Sequence, residues 1–481
     1  MHDLVYDLAE SIAGNEFIIL EYSLCDSKLH SIPKYLYEAK KLRTLNLLFP
    51  KGNLGEAHPD LFSSFRDLHA LNLGGNDIKR LHNLVSCLIS LRYLNISNTF
   101  IETLPKSISD LNYLQVLNLA YCYDLIKLPM KLVELVYLRH LMIHGCDKLS
   151  HLPNCIGKLV QFQTLSTFIV GTGTYQGLKQ LQFLRFVGEL NIRQLGNAIE
   201  SRLANLRMKP KLRSLGLSWR NDHDDLIMSN NNHSRLAEEL LKHLQSHRNL
   251  KTLSINGYTG KYFPRWIGIP ELPNLTNILL IYCKRCEHLP TLGQLPFLKV
   301  IYMSGMSNVK NIGIEFYGRV SGRQSQSLQE LSFIDFPNLK FCDKCPKLRN
   351  IPWFPSLHHL ELQSCNEKIL RSAELQHVTT LQNLEIHSCP SIKNLPTWIG
   401  NLSSLISLAI SNCYNIISLP EDLQHLINHQ HLSIRECPGL ENHYKKYISE
   451  DWPKVADIPH IYIGSTEPRQ YEGASSYSYS K

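Results

Sequence analysis

The feature that most constrains this chain is a nine-residue phrase that returns at a fixed interval. Residues 357–365 read LHHLELQSC, 381–389 read LQNLEIHSC and 405–413 read LISLAISNC, with 24 residues between successive starts. The shared pattern is apolar, two variable, apolar, one variable, apolar, two variable, cysteine. Side chains two apart point to the same face of a strand. The second and third apolar residues therefore face one way, and the residue between them faces the other. A unit this short cannot bury its apolar face alone and must stack on copies of itself.

Read along the whole chain, the pattern starts at Leu42, Leu68, Leu91, Leu114, Leu138, Phe162, Val187 and Leu212. It resumes at Leu250, Leu275, Leu298, Leu328, Leu357, Leu381, Leu405 and His429, with Phe162, Val187 and His429 the weakest matches. The expected fold is α/β: a leucine-rich-repeat solenoid with a parallel inner sheet and an irregular, short-helical convex side. Sixteen strands at ~4.8 Å spacing would give an inner edge of about 75 Å. In the unit starting at Leu114, Leu117 and Leu119 point inward, each contributing roughly 1.5–3 kcal/mol by burial. Asn118 and Ala120 point to the concave surface. Leu-Pro pairs at 128–129, 152–153, 395–396 and 419–420 mark the turn onto the back, where no ladder bond is needed from proline.

The ends and one internal segment depart from the repeat. Leu4, Leu8 and Ile12 lie at helical spacing, with Asp3 as a cap and Gly14 as a stop. Residues 17–40 read as a degenerate entry segment, and the array itself as 41–440 with an insertion near 220–249. Polar residues 221–225 and 230–232 predict a mobile loop, and Leu236, Leu240, Leu241 and Leu244 predict a helix after it. Residues 441–464 supply Trp452, Val455, Ile458 and Ile461 to cap the last open core; 465–481, rich in Ser and Tyr, are expected to be a disordered tail.

Composition removes several function classes. The net charge of +8 is modest for 481 residues and scattered, so no nucleic-acid stripe is expected. Of thirteen cysteines, seven (Cys122, Cys146, Cys283, Cys365, Cys389, Cys413, Cys437) fall at the same repeat position, where a thiol acts as a small buried hydrophobe. Without a signal peptide pattern, that column predicts a reducing compartment. No apolar run approaches the ~20 residues of a membrane span.

Chemistry is expected to be absent too. The pairs Cys283/Cys286 and Cys342/Cys345 are too far apart for a zinc ribbon, and His243/His247 and His425/His429 lack a zincin glutamate. Residues 171–177 are glycine-rich but lack the lysine of a phosphate loop. The expectation is a non-enzyme with no metal and no catalytic residues. Function then falls to the concave surface, where Tyr93, His140, His144, Trp219, Tyr282, Tyr302, His359, Glu361, His387 and Arg435 are the candidate partner-binding residues. Aromatics and arginine anchor protein interfaces. An extracellular binder that inhibits a microbial enzyme remains an alternative, with glycosylation signals at Asn95, Asn232, Asn274 and Asn401. No helical segment suits a ubiquitin-ligase adaptor.

Several stretches carry a family resemblance. Residues 1–5 (MHDLV) with Asp7, Leu8 and Ala9 resemble the Met-His-Asp motif of plant intracellular nucleotide-binding leucine-rich-repeat immune receptors, the subgroup with a coiled coil rather than a TIR domain. Residues 39–45 (AKKLRTL) resemble that family's first repeat, and 257–260 (GYTG), 263–266 (FPRW) and 283–296 (CKRCEHLPTLGQLP) its mid-array signatures. Residues 450–453 (EDWP) and 458–461 (IPHI) are similar to its C-terminal end.

The resemblance implies a sensor whose repeats hold a nucleotide-binding switch closed and recognise a pathogen effector or a guarded host protein. It implies residence in the cytoplasm, with the nucleus as a further compartment. In the family the motif histidine, here His2, contacts ADP phosphates, and Asp3 supports the closed state. The chain begins at this motif, so 1–40 is expected to hold only a remnant of that winged-helix module. No cofactor is then assigned to His2 or Asp3; ADP or ATP belongs to a full-length receptor. The resemblance makes Lys40, Lys41 and Arg43, on the first full unit, candidates for docking against the switch.

Overall fold

The computed structural model describes residues 17–21, 41–48, 59–173, 177–185, 187–198, 204–219, 231–268, 271–312, 316, 327–341, 354–371, 375–426, 428–444, 449 and 452–464. The chain divides into two compact units, Met1–Leu298 with Glu315–Ser325, and Lys299–Ile314 with Gln326–Lys481.

In the first unit a parallel sheet runs in chain order. Its strands are β1 (Phe17–Glu21), β2 (Thr44–Leu48), β3 (Ala70–Asn72), β4 (Tyr93–Asn95), β5 (Val116–Asn118), β6 (His140–Met142) and β7 (Thr164–Leu165). A further set follows in the same unit: β8 (Thr167–Ile169), β9 (Gly188–Arg193), β10 (Leu212–Ser218), β11 (Thr252–Asn256) and β12 (Asn277–Ile281). The second unit is built on β13 (Val300–Ser304), β15 (Glu330–Ile334), β17 (His359–Gln363), β18 (Asn383–His387), β19 (Ser407–Ser411), β20 (His431–Arg435) and β21 (His460–Ile463), each parallel to the next. Between them in sequence, β14 (Asn311–Ile312) and β16 (Lys340–Phe341) pair on their own.

Register turns the sequence pattern into columns. Leu384 lies between Leu360 and Leu408, and Ile386 between Leu362 and Ile410, all essentially inaccessible. All seven repeat-position cysteines are buried. Each is preceded by a residue of positive φ: Tyr121, Gly145, Tyr282, Ser364, Ser388, Asn412 and Glu436. That left-handed step turns the chain out of the strand and swings the thiol inward. The thiol then donates to a carbonyl of the preceding strand, as in Cys122 Sγ to Ile96 O (3.1 Å), Cys146 Sγ to Leu119 O (3.1 Å) and Cys365 Sγ to Phe333 O (3.2 Å). Two earlier units fill the same place with other donors. Asn76 Nδ2 reaches Leu47 O at 2.9 Å, and Thr99 Oγ1 reaches Ile96 O at 2.8 Å. The position requires a compact hydrogen-bond donor, of which cysteine is one solution.

Several backs are short 3₁₀ turns, whereas the one after β2 carries the α-helical turn Pro59–Ser64. Pro105, Pro129, Pro396 and Pro420 sit as N-caps of Lys106–Asp110, Met130–Glu134, Thr397–Asn401 and Glu421–His425. Their φ of −59° to −70° suits proline, whose missing N–H costs nothing there.

Five details differ from the sequence reading. Residues 17–21 form a strand in register with β2, so the sheet begins one strand before Leu42. The inner sheet is not continuous at the Phe162 unit, where β7 pairs with β6 but β8 pairs with β9. At the break the Ser166 hydroxyl accepts from the Ile143 N–H (3.0 Å), taking a ladder carbonyl's place. The insertion helix spans Asn231–His243, so Asn231 and Asn232 are helical rather than loop. Its buried stripe is Ala237, Leu240, Leu241 and Leu244, while Leu236 is exposed, one residue off the packed face. At the C-terminal end Ile461 pairs with Leu432 in β21, extending the column by one more strand. The expected N-terminal helix, the 221–230 loop, His2, Asp3, Lys40, Cys342, Cys345 and the 465–481 tail lie outside the described residues.

Candidate interaction surface

The outward residues of the strands make a grid, and its character differs between the units. In the first sheet one outward row is Thr44, Ala70, Tyr93, Val116, His140 and Thr164. Ala70, Tyr93 and Val116 form a buried cluster with Met142 packed against it. The next row is asparagine. Asn72 Nδ2 donates to Asn46 Oδ1, and Asn95 Nδ2 to Asn72 Oδ1, both at 2.8 Å. The Oδ1 atoms of Asn72, Asn95 and Asn118 accept at 3.0 Å from the Gly74, Ser97 and Ala120 N–H groups. The asparagines of residues 45–47, 71–73, 94–96 and 117–119 (LNL or LNI) were visible in the sequence as outward residues; their mutual bonding was not.

In the second unit the corresponding row is Tyr302, Ser332, Glu361, Glu385, Ala409, Ser433 and Tyr462. It is flanked by His359, His431 and His460 on one side and by Gln363, His387, Ser411 and Arg435 on the other. His387 bridges strands: its Nε2 lies 3.0 Å from Glu385 Oε2 and its Nδ1 2.7 Å from Ser411 Oγ. In the neutral ring Nε2–H donates to the carboxylate and the Ser411 hydroxyl donates to Nδ1. That hydrogen bond, with His359 nearby, holds the Glu385 carboxyl below its ordinary range. At the end of the row His431 stacks on His460 at 4.7 Å, and the Arg435 guanidinium lies 4.9 Å above the Tyr462 ring.

The candidate residues therefore do not share one environment. Tyr302, His359, Glu361, His387 and Arg435 stand on the second unit's outward face, half-buried or exposed. Tyr93 is on the outward face but only 3% exposed, which corrects its reading as an exposed contact residue. Burial beside Ala70 and Val116 also pushes its phenol well above the ordinary range. His140 is half-buried and its Nδ1 lies 3.2 Å from Thr164 Oγ1. His144 lies beyond β6 and packs edge-on to Tyr121 at 4.8 Å. For both histidines burial lowers the pKa. Tyr282 lies outside β12, in the left-handed step at φ 53°. Trp219 lies beyond β10 and packs edge-on to Tyr258 at 5.1 Å. Lys41 and Arg43 are exposed on the first full unit.

The mid-array signature is an anchor. Ser234 Oγ donates to Thr259 O (2.7 Å), Lys261 N to Glu238 Oε1 (2.8 Å) and Trp266 Nε1 to Leu241 O (2.9 Å), fastening residues 257–266 to the insertion helix. Tyr258, fully buried, donates to Tyr262 O at 2.8 Å.

Comparison with known proteins follows the same residues. The R13L1/DRL21 leucine-rich-repeat family model matches 176–306, which contains this anchor. A disease resistance protein of Arabidopsis thaliana is 30% identical over 425 residues, covering 81% of this chain and 29% of the relative. Disease resistance protein RGA2 of Solanum bulbocastanum is 29% identical over 426 residues, covering 82% of this chain and 42% of the relative. This chain is a leucine-rich-repeat region of the plant disease resistance receptor family. It spans less than half the length of these relatives. A leucine-rich-repeat protein of Leptospira interrogans shares the fold, at TM-score 0.53 and 20% identity over 89% of this chain and 97% of that one.

Other chemistry is limited among the described residues. No group of three or more His, Cys, Asp or Glu is placed to hold a metal, and no helix is long and apolar enough to cross a membrane. The ten described cysteines are free thiols. Asn95 is 9% exposed and its amide is bonded to Asn72, so a glycan there is incompatible with the fold.

Proposed function

We propose that this resistance-protein array is a recognition and autoinhibitory region that binds a pathogen effector or a guarded host protein and restrains a nucleotide-binding module. It acts by binding, without catalysis, and holds no cofactor itself; ADP or ATP belongs to that module. The observation carrying this reading is the second unit's outward grid. There His387 is oriented by Glu385 and Ser411, and aromatic and charged side chains stand on in-register strands. Pre-oriented side chains on a rigid sheet lose little freedom when a partner binds. Free buried thiols support an intracellular site. In this reading Lys41 and Arg43, with Lys40, contact the switch module.

Recognition is tested by exchanging Tyr302, Glu361, His387 and Arg435 for alanine in a full-length receptor and scoring the response to a panel of effectors. Altered specificity with unchanged accumulation is expected; an unchanged response profile would overturn recognition on this face. Restraint is tested separately, by co-expressing the chain with the nucleotide-binding module. Glutamate at Lys40, Lys41 and Arg43 should weaken co-precipitation, and equal recovery would remove that docking surface.

A further inference from the structure

One flank of the first unit carries a row of apolar side chains that the recognition reading does not use. Ile89, Tyr113, Tyr137 and Val160 lie in the short link between the convex turn and the following strand of consecutive units, and Phe183 and Met208 end the convex turns Leu178–Phe183 and Leu206–Met208 that follow. They are 52% to 71% exposed. A leucine-rich-repeat unit needs no apolar residue there, since the inward columns already fill the core. The Tyr113 and Tyr137 rings stack on each other at 6.2 Å. At strand spacing the six positions extend about 25 Å. Exposed apolar runs of this kind mark contact surfaces.

Charge says what kind of surface. Arg92, Arg139, Lys158, Arg185 and Lys211 flank the row, all exposed, and none forms an ion pair among the described residues. Acids stand near the row in sequence at Asp110, Glu134 and Glu189, and Glu134 is already shared with Lys131 at 3.8 Å. We infer that this flank is a peripheral docking surface for an anionic lipid bilayer. Aromatic and aliphatic side chains enter the headgroup boundary while free lysines and arginines meet lipid phosphates and carboxylates. The row favours a bilayer because its exposed apolar side chains are accompanied by cations without ion pairs among the described residues, the composition of an interfacial surface. It binds without inserting any helix and leaves the outward strand residues uncovered.

The test uses the full chain and vesicles of phosphatidylcholine, alone or with about a third phosphatidylserine. Flotation with the anionic vesicles is expected, weakening as salt rises, with little on phosphatidylcholine alone. Arg92→Glu with Arg139→Glu should cut anionic binding at least about tenfold, since each cation near such a surface contributes about fivefold. Tyr113→Ser with Tyr137→Ser should cut it by a similar factor, whereas Phe100→Ser, an exposed residue outside the row, should not. All these positions are exposed, and circular dichroism confirms that each variant is folded. Absence of flotation on anionic vesicles overturns the inference, as does equal binding by the parent and both double variants. Capture of an acidic apolar peptide without vesicle binding also overturns it and assigns the ridge to a protein. None of these failures touches effector recognition, which is read on different residues.

Discussion

The outward faces of the first sheet and of the second unit obey one repeat pattern yet are built for opposite ends. In the first sheet Tyr93 is enclosed by Ala70 and Val116, and Asn46, Asn72 and Asn95 spend their amides on one another. In the second unit the same positions hold Glu361, Glu385 and, one row over, His387, Ser411 and Arg435, which keep substantial exposure. The inward columns are interchangeable between the two; the outward rows are not. Residues facing the core answer to packing, whereas outward residues are free to diverge until something else constrains them. In the first sheet that constraint is cross-strand bonding, so an aromatic on the concave side is not evidence of a contact residue.

The comparison can be broken most forcefully through the columns it treats as equivalent. Leu94→Asp in the first sheet and Leu384→Asp in the second unit should each cost more than about 3 kcal/mol, because a charge would be buried without a partner. Urea denaturation measures this, and tolerance of either would refute the inward register. Next in size, Tyr93→Ala should cost about 3 kcal/mol. Tyr302→Ala, on the more open face, should cost less than about 1 kcal/mol. Equal losses would erase the distinction between a face closed on itself and one left open.

Asn72→Ala should follow, at about 1–2 kcal/mol, since it strips a donor and an acceptor from the asparagine row. His387→Ala should change stability by under about 0.5 kcal/mol while altering partner binding. Thermal melts of the two variants side by side check the order. The smallest effect is a pH dependence in the second unit. His429 stands at the leucine position of its repeat, 4% exposed, with Nε2 3.1 Å from His431 O and Nδ1 without a partner. Burial lowers its pKa. A lowered histidine pKa means the folded state binds fewer protons, so this stability is present above the unfolded value of about 6.5 and is lost as pH falls below it. Protection of residues 428–444, measured against the intrinsic exchange rate at each pH, should therefore fall between about pH 7 and 5, and His429→Leu should flatten that trend.

Much of this was legible in the chain. Period, inward leucines and the buried cysteine column follow from spacing two along a strand and from stacking. The proline-led backs follow from a residue that cannot donate to a ladder. Asn76 and Thr99 hid in the cysteine column because the pattern was read as a residue type, while the position selects for a compact donor to a strand carbonyl, that of the preceding unit for Asn76 and of its own unit for Thr99. Tyr282 was misplaced for a related reason: whether a residue at a strand's end stays extended or takes positive φ depends on the turn that follows. Among the candidate residues, those at mid-strand were placed on the correct face, and alternation could not reveal how deeply their neighbours covered them.

By itself the sequence determined that this protein is a stack of parallel strands with leucine and cysteine columns inside, because the repeat leaves each unit no other way to bury its apolar face. The tertiary structure alone decided where the sheet breaks, that Tyr93 is enclosed, that asparagines bond across strands, and that His387 is held between Glu385 and Ser411. Each of those depends on contact between residues some two dozen positions apart, or on two side chains meeting in space, and a period records spacing without recording contact.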